Sequence, residues 1–102
     1  MRYLTVSADF NSSGVKDLDT GELDNTDLGL SDNLWSIIQE WNTEYRPIIK
    51  MSMEERAAVR ERIDELDQRG LRVCKLIADE LGDVKVDYYS EGLLKWKALR
   101  IQ

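Results

Sequence analysis

Six carboxylates, Asp17, Asp19, Glu22, Asp24, Asp27 and Asp32, fall within sixteen residues that contain no Lys or Arg. Two chemistries suit such a tract. Clustered oxygen ligands can hold a hard cation, and clustered negative charge can attract a cationic partner. The cation reading fails on spacing: a calcium loop beginning at Asp17 requires glycine at its sixth position and a carboxylate at its twelfth, where the chain has Glu22 and Leu28. No metal or other cofactor is therefore expected; the tract is read as a partner-binding surface, the alternative being a polar loop that merely keeps the protein soluble. Trp35 lies just beyond it, one step off the apolar stripe of the following helix, and is a candidate aromatic anchor because Trp is enriched at binding hot spots.

Other candidates for chemistry are few. The 102 residues include no histidine, which removes Ser-His-Asp and Cys-His catalysis and most transition-metal sites. The single Cys74 sits beside a helical apolar stripe with no neutral base to activate it, so it reads as a small buried hydrophobe. Glu80 with Asp79 or Asp83 could pair for acid–base hydrolysis, but adjacent acids at a helix end are ordinarily solvated. The expectation is a protein that is not an enzyme.

The charge is unevenly placed. Residues 1–45 hold nine acids and two bases, whereas residues 46–102 hold eleven acids and twelve bases, so the whole net charge of −6 belongs to the first half. An acidic surplus argues against direct nucleic-acid binding, which needs a basic face. A lone cysteine fits a reducing compartment, and no apolar run reaches the roughly 18 to 20 residues that span a bilayer. A cytoplasmic protein of one domain, residues 1–102, is expected.

The elements that must position the acids follow from periodicity. Arg2 to Phe10 alternates, with Leu4, Val6, Ala8 and Phe10 on one side, as a half-buried strand does. Residues 11–30 read as a long surface loop. Ser31 caps a helix carrying Leu34, Ile37, Ile38, Trp41 and Tyr45, which should stop near Tyr45 because Pro47 disfavours helical geometry before it. Ser52 and Glu55 have capping-box spacing, and Val59, Ile63, Leu66, Gly70, Val73, Ile77 and Leu81 then form a stripe to Gly82. That predicts one helix of about 30 residues, roughly 45 Å long. Glu65 and Arg69 have pairing distance along its outer face, and Gly70 on the stripe implies either close packing or a bend. Val84 to Tyr89 and Leu94 to Leu99 alternate around Ser90-Glu91-Gly92, predicting a closing hairpin with Leu94, Trp96 and Ala98 on one side, a terminal helix over residues 93–101 being the alternative. The expected fold is α+β: a small antiparallel or mixed sheet of about three strands, with two helices packed on one face in the order β-α-α-β-β.

The run Gly21-Glu22-Leu23-Asp24, then Leu28-Gly29-Leu30-Ser31, Leu34, Trp41 and Tyr45, with Gly70-Leu71, Leu76, Glu80-Leu81-Gly82, Val84, Val86 and Tyr88, resembles a group of small acidic bacterial proteins. Some of these are similar to the immunity partners encoded beside polymorphic or contact-dependent toxins. The likeness covers most of the chain up to Tyr88, and the chain continues beyond it through Leu93 to Gln102. The resemblance implies no catalytic residue. It implies an immunity protein that blocks a cognate toxin domain, for example a nuclease with a basic surface; the acidic tract of Asp17, Asp19, Glu22, Asp24, Asp27 and Asp32, with Trp35, is the surface expected to face it. The rival reading is a structural or adaptor module, either a monomer or a homodimer joined along the second helix.

Overall fold

The computed structural model describes residues 2–17, 20–22 and 24–101, with residues 22, 100 and 101 described by their backbone alone. The chain is α+β. Its strands are β1 (Arg2–Val6), β2 (Val15–Asp17), β3 (Gly21–Glu22), β4 (Val84–Ser90) and β5 (Lys95–Ile101). Its helices are α1 (Asn25–Leu28), α2 (Asp32–Ile49), α3 (Met53–Ala58) and α4 (Arg60–Leu81). Among the described residues the sheet runs β3-β2-β1-β4-β5, mixed rather than wholly antiparallel, because β1 and β4 pair in parallel.

Among the described residues, the expected order β-α-α-β-β with about three strands is corrected to five strands and four helices. Two strands and α1 come from the segment read as loop, since a strand of two or three residues is too short to show periodicity. Pairing supplies what pattern lacks: Leu4, Thr5 and Val6 of β1 face Asp17, Lys16 and Val15. The first strand ends at Val6 instead of Phe10. Asn42 holds the chain beyond it, accepting from the Asp9 amide at 2.9 Å and donating to the Ser12 carbonyl at 2.9 Å. Phe10 is turned out, 40% exposed, with the Lys50 ammonium 4.3 Å from its ring centre.

The first long helix passes through Pro47 to Ile49. Proline costs most where its missing amide leaves a buried carbonyl unpaired; here it stands exposed in the last turn, and the Thr43 residue it would have bonded is exposed too. The predicted single second helix is two. Val59, at φ −116° and ψ 28°, separates α3 from α4. The Arg56 guanidinium, 9% exposed, bonds the carbonyls of Ile49, Met51, Glu91 and Gly92. It thereby ties α3 to the end of α2 and to the β4–β5 turn, while the α4 stripe is tied to the sheet, and Val59 is where the two constraints meet.

That stripe is core. Ile63, Leu66 and Ile77 are fully buried and Val73 nearly so, packed with Leu34, Ile38, Trp41 and Tyr45 of α2 over Leu4, Val6, Val84, Val86 and Tyr88 of the sheet. A homodimer seam along it would have to compete with this packing. Gly70 explains itself, since a Cβ there would lie 2.3 Å from Tyr88 Cε1. Beneath it, Asp67 is fully buried and accepts hydrogen bonds from Tyr45 at 2.8 Å, Tyr88 at 2.7 Å and Ser90 at 2.7 Å. Three hydroxyl donors compensate the cost of taking this carboxylate out of water.

The closing hairpin forms as expected, but its faces differ. Tyr88 faces Ala98 while Tyr89 faces Trp96, so an extra residue lies on β5 between the two pairs. This bulge inverts the alternation. Ala98 stays against the core, whereas Trp96 moves to the outer face, 53% exposed, its ring edge-on to Tyr89 at 5.1 Å.

Candidate functional site

The acid-rich segment is folded onto the body by its leucines. Leu28 and Leu30 are buried, and the Asn25 side chain brackets Leu30, donating to its carbonyl at 3.2 Å and accepting from its amide at 3.0 Å. Asp24 and Asp27 act first as caps of α1. Asp24 accepts from the amides of Thr26 at 2.8 Å and Asp27 at 3.2 Å, and the Asp27 carboxylate accepts from the Asp24 amide at 3.2 Å. Both remain exposed.

Asp17 is placed differently from a solvent-facing acid. Its side chain is only 11% exposed and lies 3.7 Å from the Arg2 guanidinium. Glu22 sits in β3 with its backbone opposite Lys16, and Asp19 lies outside the described residues. Asp32 opens α2 and is exposed; Trp35, one turn on, is half-buried and packed against the core. The four acids whose side chains are described, with Trp35, thus divide into a part-buried ion-pair member, a capping pair, one exposed helix-start acid and a rim aromatic.

A second group of acids joins them. Glu80 accepts from both the Ser31 hydroxyl at 2.6 Å and the Ser31 amide at 3.0 Å, which fastens the end of α4 to the start of α2. These bonds hold the Glu80 carboxyl below the usual range. Arg2 closes the same end, its amide donating to the Asp83 carbonyl at 3.4 Å and its guanidinium to the Asp27 carbonyl at 3.5 Å. Asp24, Asp27 and Asp32 therefore share one pole of the molecule with Asp79, Glu80 and Asp83. Sequence reasoning found the first three and set the last three aside as a solvated helix end. No local signal could have joined them, because the link runs between residues 49 apart.

The pole opens onto a groove between α2 and α4. Leu34, Ile37 and Leu76 form its floor and Ser31, Asp79 and Glu80 its rim, around a cavity of about 240 Å³. Ile37, expected on the core stripe, is 38% exposed, and Leu76 is 36% exposed. Adjacent residues on a helix are about 100° apart, so Ile38 takes the inward position and Ile37 the groove.

Among the described residues no three Asp, Glu or Cys side chains converge as metal ligands. Cys74 is fully buried, with its sulfur 4.0 Å from the Asp87 carbonyl, and burial first, then the Asp87 charge, push its thiol up and away from the reactive thiolate. Away from the pole, Arg69 pairs with Glu44 of α2 at 2.6 Å, where pairing with Glu65 was expected; Glu65 bonds Arg62 instead. Among the described residues no helix is long and apolar enough to cross a membrane.

A family model described as Serratia CdiI immunity protein-like matches residues 2–91. No curated protein and no solved structure matches the chain.

Proposed function

Because the chain belongs to the Serratia CdiI immunity protein-like family, we propose that it binds a cognate toxin domain in the cytoplasm and blocks that domain's active site or substrate surface. The family match over residues 2–91 carries this reading. The acidic pole says how the block would work. Asp24, Asp27 and Asp32, with Asp79, Glu80 and Asp83, meet a toxin surface rich in Lys and Arg, such as the substrate cleft of a nuclease. Charge of this density speeds encounter and selects the partner, while affinity comes from a few well-packed anchors. Asp17 and Trp35 extend the same contact, and Asp19 and Glu22 belong to it by their place in the acidic run.

Co-expression with the protein encoded immediately upstream tests the proposal. That protein should arrest growth alone, be tolerated when this chain is present, and copurify with it in equal amounts. A product that is harmless alone, or that fails to copurify, would refute the pairing.

A further inference from the structure

From the α2–α4 groove we infer the kind of toxin segment that anchors the complex: a short amphipathic helix of two to three turns, apolar on one face and carrying Lys or Arg at one end. This rests on the reading of the chain as an immunity protein and names the partner element that the acidic pole receives.

The groove selects its occupant by size, length and charge. At about 240 Å³ it falls below the roughly 300 to 1,000 Å³ of small-molecule pockets, which makes it a seat for one or two side chains. It continues past Ile37 and Leu76 into a smaller hollow of about 80 Å³ bordered by Trp41, Val73, Arg69 and Arg72. From Ser31 to Trp41 the α2 wall of the two hollows spans ten residues, roughly 15 Å, which a helix of two to three turns covers. The walls run in opposite directions, since the start of α2 meets the end of α4 at Ser31–Glu80 and Trp41 reaches back to the Leu66 carbonyl at 2.9 Å. Two antiparallel helices with apolar residues exposed between them leave a ridge-accepting groove of the kind a third helix fills.

Charge fixes the orientation. One end of the groove carries Asp79 and Glu80 with Asp32 nearby in sequence from the rim residue Ser31; the other carries Arg72. A docked helix with its basic end at Asp79 and a neutral or acidic end at Arg72 satisfies both. Ile37 and Leu76 then supply the buried apolar contact, and the acids supply direction and approach.

The probe is the toxin domain encoded immediately upstream, with binding followed by surface plasmon resonance or interferometry. Ile37→Lys and Leu76→Lys should each weaken binding about tenfold or more, mainly through faster dissociation, with melting temperatures near that of the parent. Trp96→Lys, on the outer sheet face, should bind within about twofold. Hydrogen exchange of the unmodified complex should protect amides in residues 31–41 and 69–80, a readout that does not depend on any variant folding. If the unmodified protein binds but the lysine variants bind equally well and those amides are unprotected, the groove assignment is wrong while the immunity reading stands. If the unmodified protein does not bind, both fall. Sedimentation showing that the groove variants dissolve a dimer of this chain would replace the toxin helix with a second copy.

Discussion

The ring of Tyr88 lies across Gly70 so closely that a Cβ at position 70 would stand 2.3 Å from Cε1, 2.5 Å from Cζ and 2.6 Å from the hydroxyl oxygen. The ring cannot easily retreat, because its hydroxyl is bonded to Asp67 at 2.7 Å within the core. Alanine is normally the better helix residue by about 1 kcal/mol. Here Gly70→Ala should lower unfolding stability by about 2 to 4 kcal/mol, within the range for overpacked cores and broken buried bonds. Urea titration measures it, and an unchanged midpoint would show that the ring moves freely.

Asp67 gives a companion test. One of its carboxylate oxygens accepts from both Tyr45 and Tyr88, and the other accepts from Ser90. An amide must present an NH2 group to one side of this arrangement, where the hydroxyls already donate. Asp67→Asn should therefore cost about 2 kcal/mol and Tyr88→Phe about 1 kcal/mol in the same titration. The two substitutions together should cost less than the sum, because they remove one shared bond.

Glu44 predicts an acid-sensitive link between α2 and α4. Bonds from Arg69 and then Arg62 hold its carboxyl at about 2, below an ordinary 4.5. A carboxyl lowered by folding adds stability that is complete above its unfolded value and disappears as pH falls toward its folded value. Thermal melts of Glu44→Gln and the parent should therefore differ at neutral pH and converge between about pH 4.5 and 2. Parallel curves across that range would remove the link.

The acidic pole predicts rate effects without stability effects. Asp32 and Asp79 are exposed, so Asp32→Asn with Asp79→Asn should leave unfolding within about 0.5 kcal/mol of the parent. Association with the toxin domain should slow severalfold and its dependence on salt should flatten. An unchanged association rate would mean that these acids serve solubility alone.

Cys74 should be inert in the native state. With its side chain fully buried, reaction with a chromogenic disulfide should proceed only as fast as the protein opens, and should accelerate on adding urea. Rapid stoichiometric labelling of the folded protein would contradict its placement.

What could be read from the residues divides by range. Ser31 caps α2, Ser52 and Glu55 form a reciprocal cap, and Gly82 follows the end of α4 with positive φ, all as expected, because each signal lies within a few residues of the structure it creates. β2 and β3 escaped because their existence depends on pairing with β1 and with each other. The break at Val59 escaped for a similar reason: a β-branched residue on an apolar stripe carries no stop signal, and the constraint comes from Arg56 reaching carbonyls up to 36 residues away. At the pole, the acids of residues 24–32 were visible as a run, whereas their joining with Asp79, Glu80 and Asp83 required the fold. Trp96 was misplaced by a bulge, which shifts faces without changing the alternation written in the residues.

The parallel pairing of β1 with β4 sets Arg2 beside Val84 and Val6 beside Tyr88. During synthesis β1 thus waits for β4 before the centre of the sheet can close, with helices α1 to α4 made in between. Such pairing raises contact order and slows folding relative to a helical bundle of equal size. Local helices can form early, but the buried Asp67 cluster, which needs Tyr88 and Ser90 from β4, cannot be completed until that strand has emerged. A pulse of translation arrest before residue 84 would accordingly leave a product whose first strand lacks its central partner.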